Sequence, residues 1–276
     1  MDVFEYNNSI SKEKCHFIAA NGFPPQAYNH IFKPISSCSI QSPLLKPLWK
    51  SKPAAILDSW MDFADDLVPY VDKFKPKIVA GHSIGAVIWL LYAIKHNYSF
   101  DKVIMIDPAL FPKWVYRTYR LVHSVGLQSH FHPMIKLTLN RKTEFDSLEE
   151  IQENYSQKKI FSRIKKEVLN DYIHSVFKKT KNGFLLDYSP EWESIIYEKG
   201  MLEDRVIWDY MARLSITTEI IYLKGELSNI CTDSITRRLA SLCSHFYSYE
   251  IADTTHLLPF EKPENVSEII NLHLEK

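Results

Sequence analysis

Between a β-rich run, Pro76-Lys77-Ile78-Val79-Ala80, and an almost wholly apolar one, Ala86 to His96, the chain reads Gly81-His82-Ser83-Ile84-Gly85. No other feature narrows the fold as much. Glycine is scarce, with seven in 276 residues against a usual share of roughly 7%. A pair placed on either side of one serine therefore marks backbone where a side chain would clash. A strand that passes into a helix within so few residues must turn tightly. Such a turn lifts the serine hydroxyl above the end of a sheet and aims the first N–H groups of the helix at any negative charge forming beside it.

The flanking pattern agrees with a parallel sheet. Cys15–Ala20 is a short apolar run that ends in the turn Asn21-Gly22-Phe23-Pro24-Pro25. Residues 53–74 have helical spacing, with Trp60, Phe63, Leu67, Val71 and Phe74 on one face. Residues 76–80 and 102–110 read as strands on either side of the helix 86–96, which is apolar nearly all round and so buried on several sides. Strand, helix and strand in that order predict an α/β fold, a mostly parallel sheet flanked by helices. After Pro112 the pattern changes to aromatic and charged helical segments, including two or three amphipathic helices in residues 147–179. Strand signals return at 217–226 and 246–252, with helices near 233–243 and 263–274. The expected organisation is a core of residues 1–111 and 213–276 interrupted by a helical cap, 112–212.

Composition limits the partners. Lysine plus arginine equals aspartate plus glutamate at 33 each, so neither a nucleic acid nor a membrane partner is expected. The apolar stretch Ile78–Ile94 is broken by His82 and Ser83 and falls short of the roughly 20 residues a membrane span needs. Cys15, Cys38, Cys231 and Cys243 are scattered, with no C-x-x-C pair, which fits reduced thiols in a cytoplasmic protein. The N-terminus lacks the apolar region of a secretory signal. No G-x-G-x-x-G or P-loop is present, so no cofactor is expected. His130 and His132, one residue apart, lack the further ligands of a metal site.

A serine hydroxyl needs a base, and His256 lies in Asp-Thr-Thr-His-Leu-Leu-Pro, after the last strand signal and before the final helix. Serine first and histidine near the C-terminus is a known chain order for such a pair on this type of turn. His82, beside the nucleophile, is expected to pack beneath the turn. With "ANGFPP", "GHSIGA", the insertion after "IDPAL" and "THLLPFEKPENV", the chain resembles α/β-hydrolase fold serine hydrolases over nearly its whole length. "PLWK" and "YSPEWESIIY" are similar to segments of a bacterial subgroup described only as esterases or hydrolases.

The resemblance implies an oxyanion hole. Asn21-Gly22 stands where many relatives have His-Gly, so the N–H groups of Phe23 and Ile84 would hold the developing charge. It also exposes a difficulty. In relatives the acid usually follows the strand after the insertion, and here that place holds Asn229. Asp107, at the end of the strand after the serine helix, is the favoured substitute, because some members of the fold supply the acid from there. Glu226 and Asp233 are alternatives, and Asn229 could orient His256 only weakly.

The expected activity is hydrolysis of carboxylic esters through an acyl-serine. Thioesterase, lactonase and C–C hydrolase chemistry are alternatives, because this fold hosts all of them. A weakly catalytic or non-catalytic small-molecule binding protein is the alternative from another class. The insertion carries Trp114, Tyr116, Tyr119, Phe131, Phe161, Phe177 and Trp192. Most are expected to pack the cap and some to line the cleft, which favours a small-molecule substrate with a hydrophobic acyl or alcohol group.

Overall fold

The computed structural model describes residues 2–6 and 13–275. In chain order the strands are β1 (Val3–Glu5), β2 (Lys14–Ile18), β3 (Ser39–Pro43), β4 (Ile78–His82), β5 (Lys102–Ile106), β6 (Glu144–Phe145), β7 (Phe177–Thr180), β8 (Gly183–Leu186), β9 (Glu219–Gly225) and β10 (Phe246–Ile251). Seven form one sheet in the order β1-β3-β2-β4-β5-β9-β10. Every pairing in it is parallel except β1 with β3. A strand buried on both faces needs apolar residues at successive positions, not alternate ones. Accordingly Val79, Val103, Met105, Ile220 and Tyr222 pack into the cluster on one face, while Ile78, Ala80, Ile104, Ile106, Ile221 and Leu223 pack into the cluster on the other.

Helix Ile84–His96 is buried at every position from Ile84 to Ala93, as its all-round apolar sequence requires. The expected helix over 53–74 is instead two short ones, Met61–Asp66 and Val68–Phe74. Pro69, which has no N–H to donate, sits in the first turn of the second. Trp60, Phe63, Leu67 and Val71 are nevertheless buried together, so the periodicity located the inward face correctly. Strands β1 and β3 lacked a sequence signal. Gln41 and Ser42 of β3 are polar yet buried, a pattern that hydrophobic alternation does not reveal.

The segment after Pro112 carries helices Lys113–Ser124, Gln128–Phe131, Pro133–Leu139, Leu148–Ser156, Lys166–Val176 and Pro190–Glu198. It also holds a small antiparallel sheet, β6-β8-β7, that helical periodicity does not foretell. Helix Asp204–Leu214 straddles the expected end of the insertion and packs on Ile84–His96. Trp60 Nε1 donates to the Ile196 carbonyl at 2.8 Å and Trp192 Nε1 to Pro53 at 3.0 Å, tying the Pro190–Glu198 helix to residues 53–60. No disulfide joins the four cysteines, all of which are buried. Among the described residues no helix is long and apolar enough to cross a membrane.

Candidate active site

Ser83 sits between the last residue of β4 and the first of its helix, with φ 56° and ψ −119°. That left-handed backbone is rare for a residue with a side chain. The two glycines explain how it is tolerated. A Cβ on Gly81 would lie 2.2 Å from the backbone N of Ala86, and one on Gly85 would lie 2.0 Å from the Ile18 carbonyl oxygen. Helix and strand approach so closely here that only hydrogen fits at either position. The turn is pinned by Ser83 N–H donating to Ile106 and by Ala109 N–H donating to the Ser83 carbonyl.

Ser83 Oγ lies 3.1 Å from His256 Nε2, and His256 Nδ1 lies 2.7 Å from Asp107 Oδ1. Asp107 follows the last residue of β5, with φ 41° and no exposure to solvent. Its Oδ2 accepts from Gly225 N–H at 3.0 Å, and its Oδ1 also accepts from Ser228 Oγ at 2.7 Å. Burial alone would raise this carboxyl's pKa, but the bonds from His256, Gly225 and Ser228 outweigh it and hold the group below its ordinary value. An ionised Asp107 accepts from Nδ1–H, which leaves Nε2 with a lone pair facing Ser83.

The other candidate acids lie elsewhere. Glu226 accepts from the Asp253 N–H at 2.7 Å. Asp233 pairs with Lys224 at 2.7 Å. Asn229 lines the cavity in front of Ser83, while its neighbour Ser228 holds Asp107. The carboxylate that meets His256 thus stands at the end of β5, which pairs with β9, and not after β9 itself.

Of the two expected oxyanion donors, Ile84 is the first residue of its helix, so its N–H precedes the i→i−4 ladder. Phe23 also lines the cavity, but its N–H donates to the Ala20 carbonyl at 3.2 Å. Gly22, with φ 79°, gives this turn a type II signature, which closes on that N–H. Phe23 can therefore serve an oxyanion only by sharing its proton with Ala20. Asn21 also lines the cavity, but its side-chain amide is held by Tyr188 and Glu193 rather than left free for a ligand. Its Nδ2 donates to the Glu193 carbonyl at 2.9 Å and its Oδ1 accepts from Tyr188 at 3.1 Å.

His82 is more than packing. Its Nε2–H donates to the His256 carbonyl at 2.9 Å, and its Nδ1 accepts from Tyr28 at 2.8 Å. Tyr28 Oη in turn accepts from Ala20 N–H at 3.1 Å. This buried chain links the turn before Phe23 to the loop of His256, and no motif in the sequence announced Tyr28 or Ser228. Burial, reinforced by the nearby His256, lowers the His82 pKa from 6.5 to about 3. The neutral ring therefore contributes stability that is fully present above pH 6.5 and is lost as pH falls towards 3. Chemical denaturation of wild type and His82→Gln on both sides of pH 6.5 is expected to show their stability difference shrinking on the acid side, by about 1.4 kcal/mol per pH unit. A pH-independent difference would mean that His82 is not held neutral.

The hydroxyl faces a cavity of about 610 Å³ walled largely by apolar side chains, among them Trp60, Ile84, Phe111, Ile196, Met201 and Leu227. Its aromatic lining is Phe23, Trp60, Phe111 and Tyr197. None of the seven aromatics singled out in the insertion is among the lining residues. Tyr116, Tyr119, Phe161, Phe177 and Trp192 are buried in packing, and Trp114 and Phe131 face solvent. His132 packs against Tyr197 with ring centres 5.2 Å apart and the planes tilted.

A family described as serine aminopeptidase, S33, matches residues 50–182, a span that includes Ser83 and Asp107. Solved structures resemble nearly the whole chain. An E-2-(acetamidomethylene)succinate hydrolase is 13% identical with a TM-score of 0.77, covering 99% of this chain and 94% of its own. An esterase from M. tuberculosis is 16% identical with a TM-score of 0.73, covering 100% and 92%. A thioesterase domain from the curacin biosynthetic pathway is 12% identical with a TM-score of 0.71, covering 97% and 93%. No curated protein sequence matches. Likeness at such low identity shows a common architecture and leaves the reaction to be argued from the site.

Proposed function

The chain has the α/β-hydrolase fold, and on that footing we propose that it is a serine hydrolase cleaving carboxylic esters through an acyl-serine intermediate. The observation that carries this reading is the unbroken line of hydrogen bonds from Ser83 through His256 to a buried carboxylate. Ser83 Oγ attacks the acyl carbonyl carbon as its proton passes to His256 Nε2. The carbonyl oxygen becomes an oxyanion beside the Ile84 N–H, with the Phe23 N–H shared from its turn. Each well-placed donor of this kind is typically worth about 3 kcal/mol in the transition state. The bond to the alcohol breaks, His256 returns the proton to the departing oxygen, and water then releases the acid by the same sequence.

Apolar walls around the cavity favour a hydrophobic acyl or alcohol group. The neighbours' descriptions include an esterase and a thioesterase, so thioesters form the second arm of the test. Hydrolysis of p-nitrophenyl esters from acetate to decanoate is expected, with kcat/KM rising from acetate to medium chains as the cavity fills. A fluorophosphonate should label Ser83 stoichiometrically. Failure of both labelling and turnover would remove the serine-hydrolase reading. Labelling with turnover of thioesters alone would move the bond class.

A further inference from the structure

We propose that the face formed by helices Lys113–Ser124, Gln128–Phe131 and Pro133–Leu139 docks on an anionic lipid bilayer. Residues 112–143 contain no aspartate or glutamate, although the chain carries 33 acidic residues in 276. Arg141 is taken up by Glu193 and Lys142 by Glu150. Lys113, Arg117, Arg120 and Lys136 are exposed and form no ion pair among the described residues. Arg120 lies within electrostatic range of Glu203 without bonding to it.

Between these cations stand apolar side chains that the fold does not cover. Trp114 is 70% exposed, Leu121 68% and Val125 61%. Their spacing puts all three on one stripe, opposite the buried Tyr116 and Tyr119. The first helix is thus apolar on its inward side and again on its outward side. Phe131 of the next helix packs at 5.7 Å from Tyr119 between ring centres and is itself exposed. Leu127, Leu137 and Leu139 continue the exposed apolar surface.

A tryptophan and leucines amid lysine and arginine, with no acid, are the chemistry that lies in the plane of a membrane interface. The rings and aliphatic groups enter the headgroup boundary while the cations meet lipid phosphates and carboxylates. A two-fold contact with a second copy would set like charges opposite one another. Net charge averages this asymmetry away, which is why composition argues against a membrane partner. The lack of a spanning helix bears on crossing a bilayer, not on resting against one.

Sedimentation of the full chain with phosphatidylcholine vesicles, with or without phosphatidylserine, tests this. Binding is expected only with phosphatidylserine, and it should weaken as salt rises. Arg117→Gln with Arg120→Gln should lower partitioning about thirtyfold, since each cation near such a surface contributes about fivefold. Trp114→Ala with Leu121→Ala should lower it about tenfold or more, with thermal melts checking that both variants stay folded. Absence of binding to phosphatidylserine vesicles would overturn the proposal, as would folded variants that bind like wild type. Self-association of the chain that is abolished by Leu121→Asp would assign the face to a second copy instead.

Discussion

Ser83→Ala is expected to lower kcat for ester hydrolysis by about 10⁵–10⁶. The substitution keeps the Cβ and removes only the attacking oxygen, so the cavity that binds the ester is unchanged and KM should move little. The left-handed backbone at this position is set by the close packing of Gly81 and Gly85, not by the hydroxyl. Loss of the 3.1 Å bond to His256 should alter stability by on the order of 1 kcal/mol. Residual turnover would come from the oxyanion donors and from binding alone. Steady-state kinetics with a thermal melt of the same preparation measures both quantities. A variant that retains a rate within tenfold of wild type would exclude Ser83 as the nucleophile.

Asp107→Asn should lower kcat by about 10⁴, because every partner of this carboxylate is a donor. One oxygen receives His256 and Ser228, and the other receives the Gly225 N–H. An amide offers one acceptor and one donor. Turned so that its oxygen meets His256, it sets its NH₂ against the Gly225 N–H. Turned the other way, it donates to Nδ1 and drives the ring proton onto Nε2, where Ser83 needs a base. The first orientation leaves a buried donor without an acceptor, at about 1–3 kcal/mol of stability. The second keeps the fold and stops the chemistry. The expected signature is a collapse of kcat with KM nearly unchanged. A near-normal rate would return the role to Asn229, Glu226 or Asp233.

Much of the chemistry could be read from residues that have no freedom to vary physically. Gly81 and Gly85 are legible because two backbones nearly touch at each. His256 is legible because the loop after the last strand has one place in this order of elements. Asp107 was harder. Whether the acid stands after β5 or after β9 depends on two adjacent strand ends meeting the same histidine, and no local pattern records that meeting. Phe23 was singled out as an oxyanion donor only through the resemblance, and the turn that places it beside the cavity also occupies its N–H. The cavity walls were least legible. They come from Trp60, Ile196, Met201 and Leu227, scattered over the chain, whereas the conspicuous aromatics of the insertion pack internally or face solvent. Strand β3 lacked a signal because its buried glutamine and serine carry no hydrophobic period, and the strands of the small sheet, Glu144–Phe145, Phe177–Thr180 and Gly183–Leu186, are too short to show one.

Taking the acid from the end of β5 also affects how the site is assembled. Ser83 and Asp107 stand at the tips of neighbouring parallel strands joined through one helix, a crossover that closes a short loop. Their backbone spacing is set within one supersecondary unit that ends before residue 112. His256, together with the Gly225 and Ser228 that hold Asp107, must be delivered across residues 112–212, and the loop-closure entropy of that step grows slowly with the length crossed. A change of length in the segment between β5 and β9 would thus leave the spacing of Ser83 and Asp107 intact. The spacing of Ser83 and Asp107 is thereby independent of Ile196, Tyr197 and Met201, which wall the cavity from within that segment.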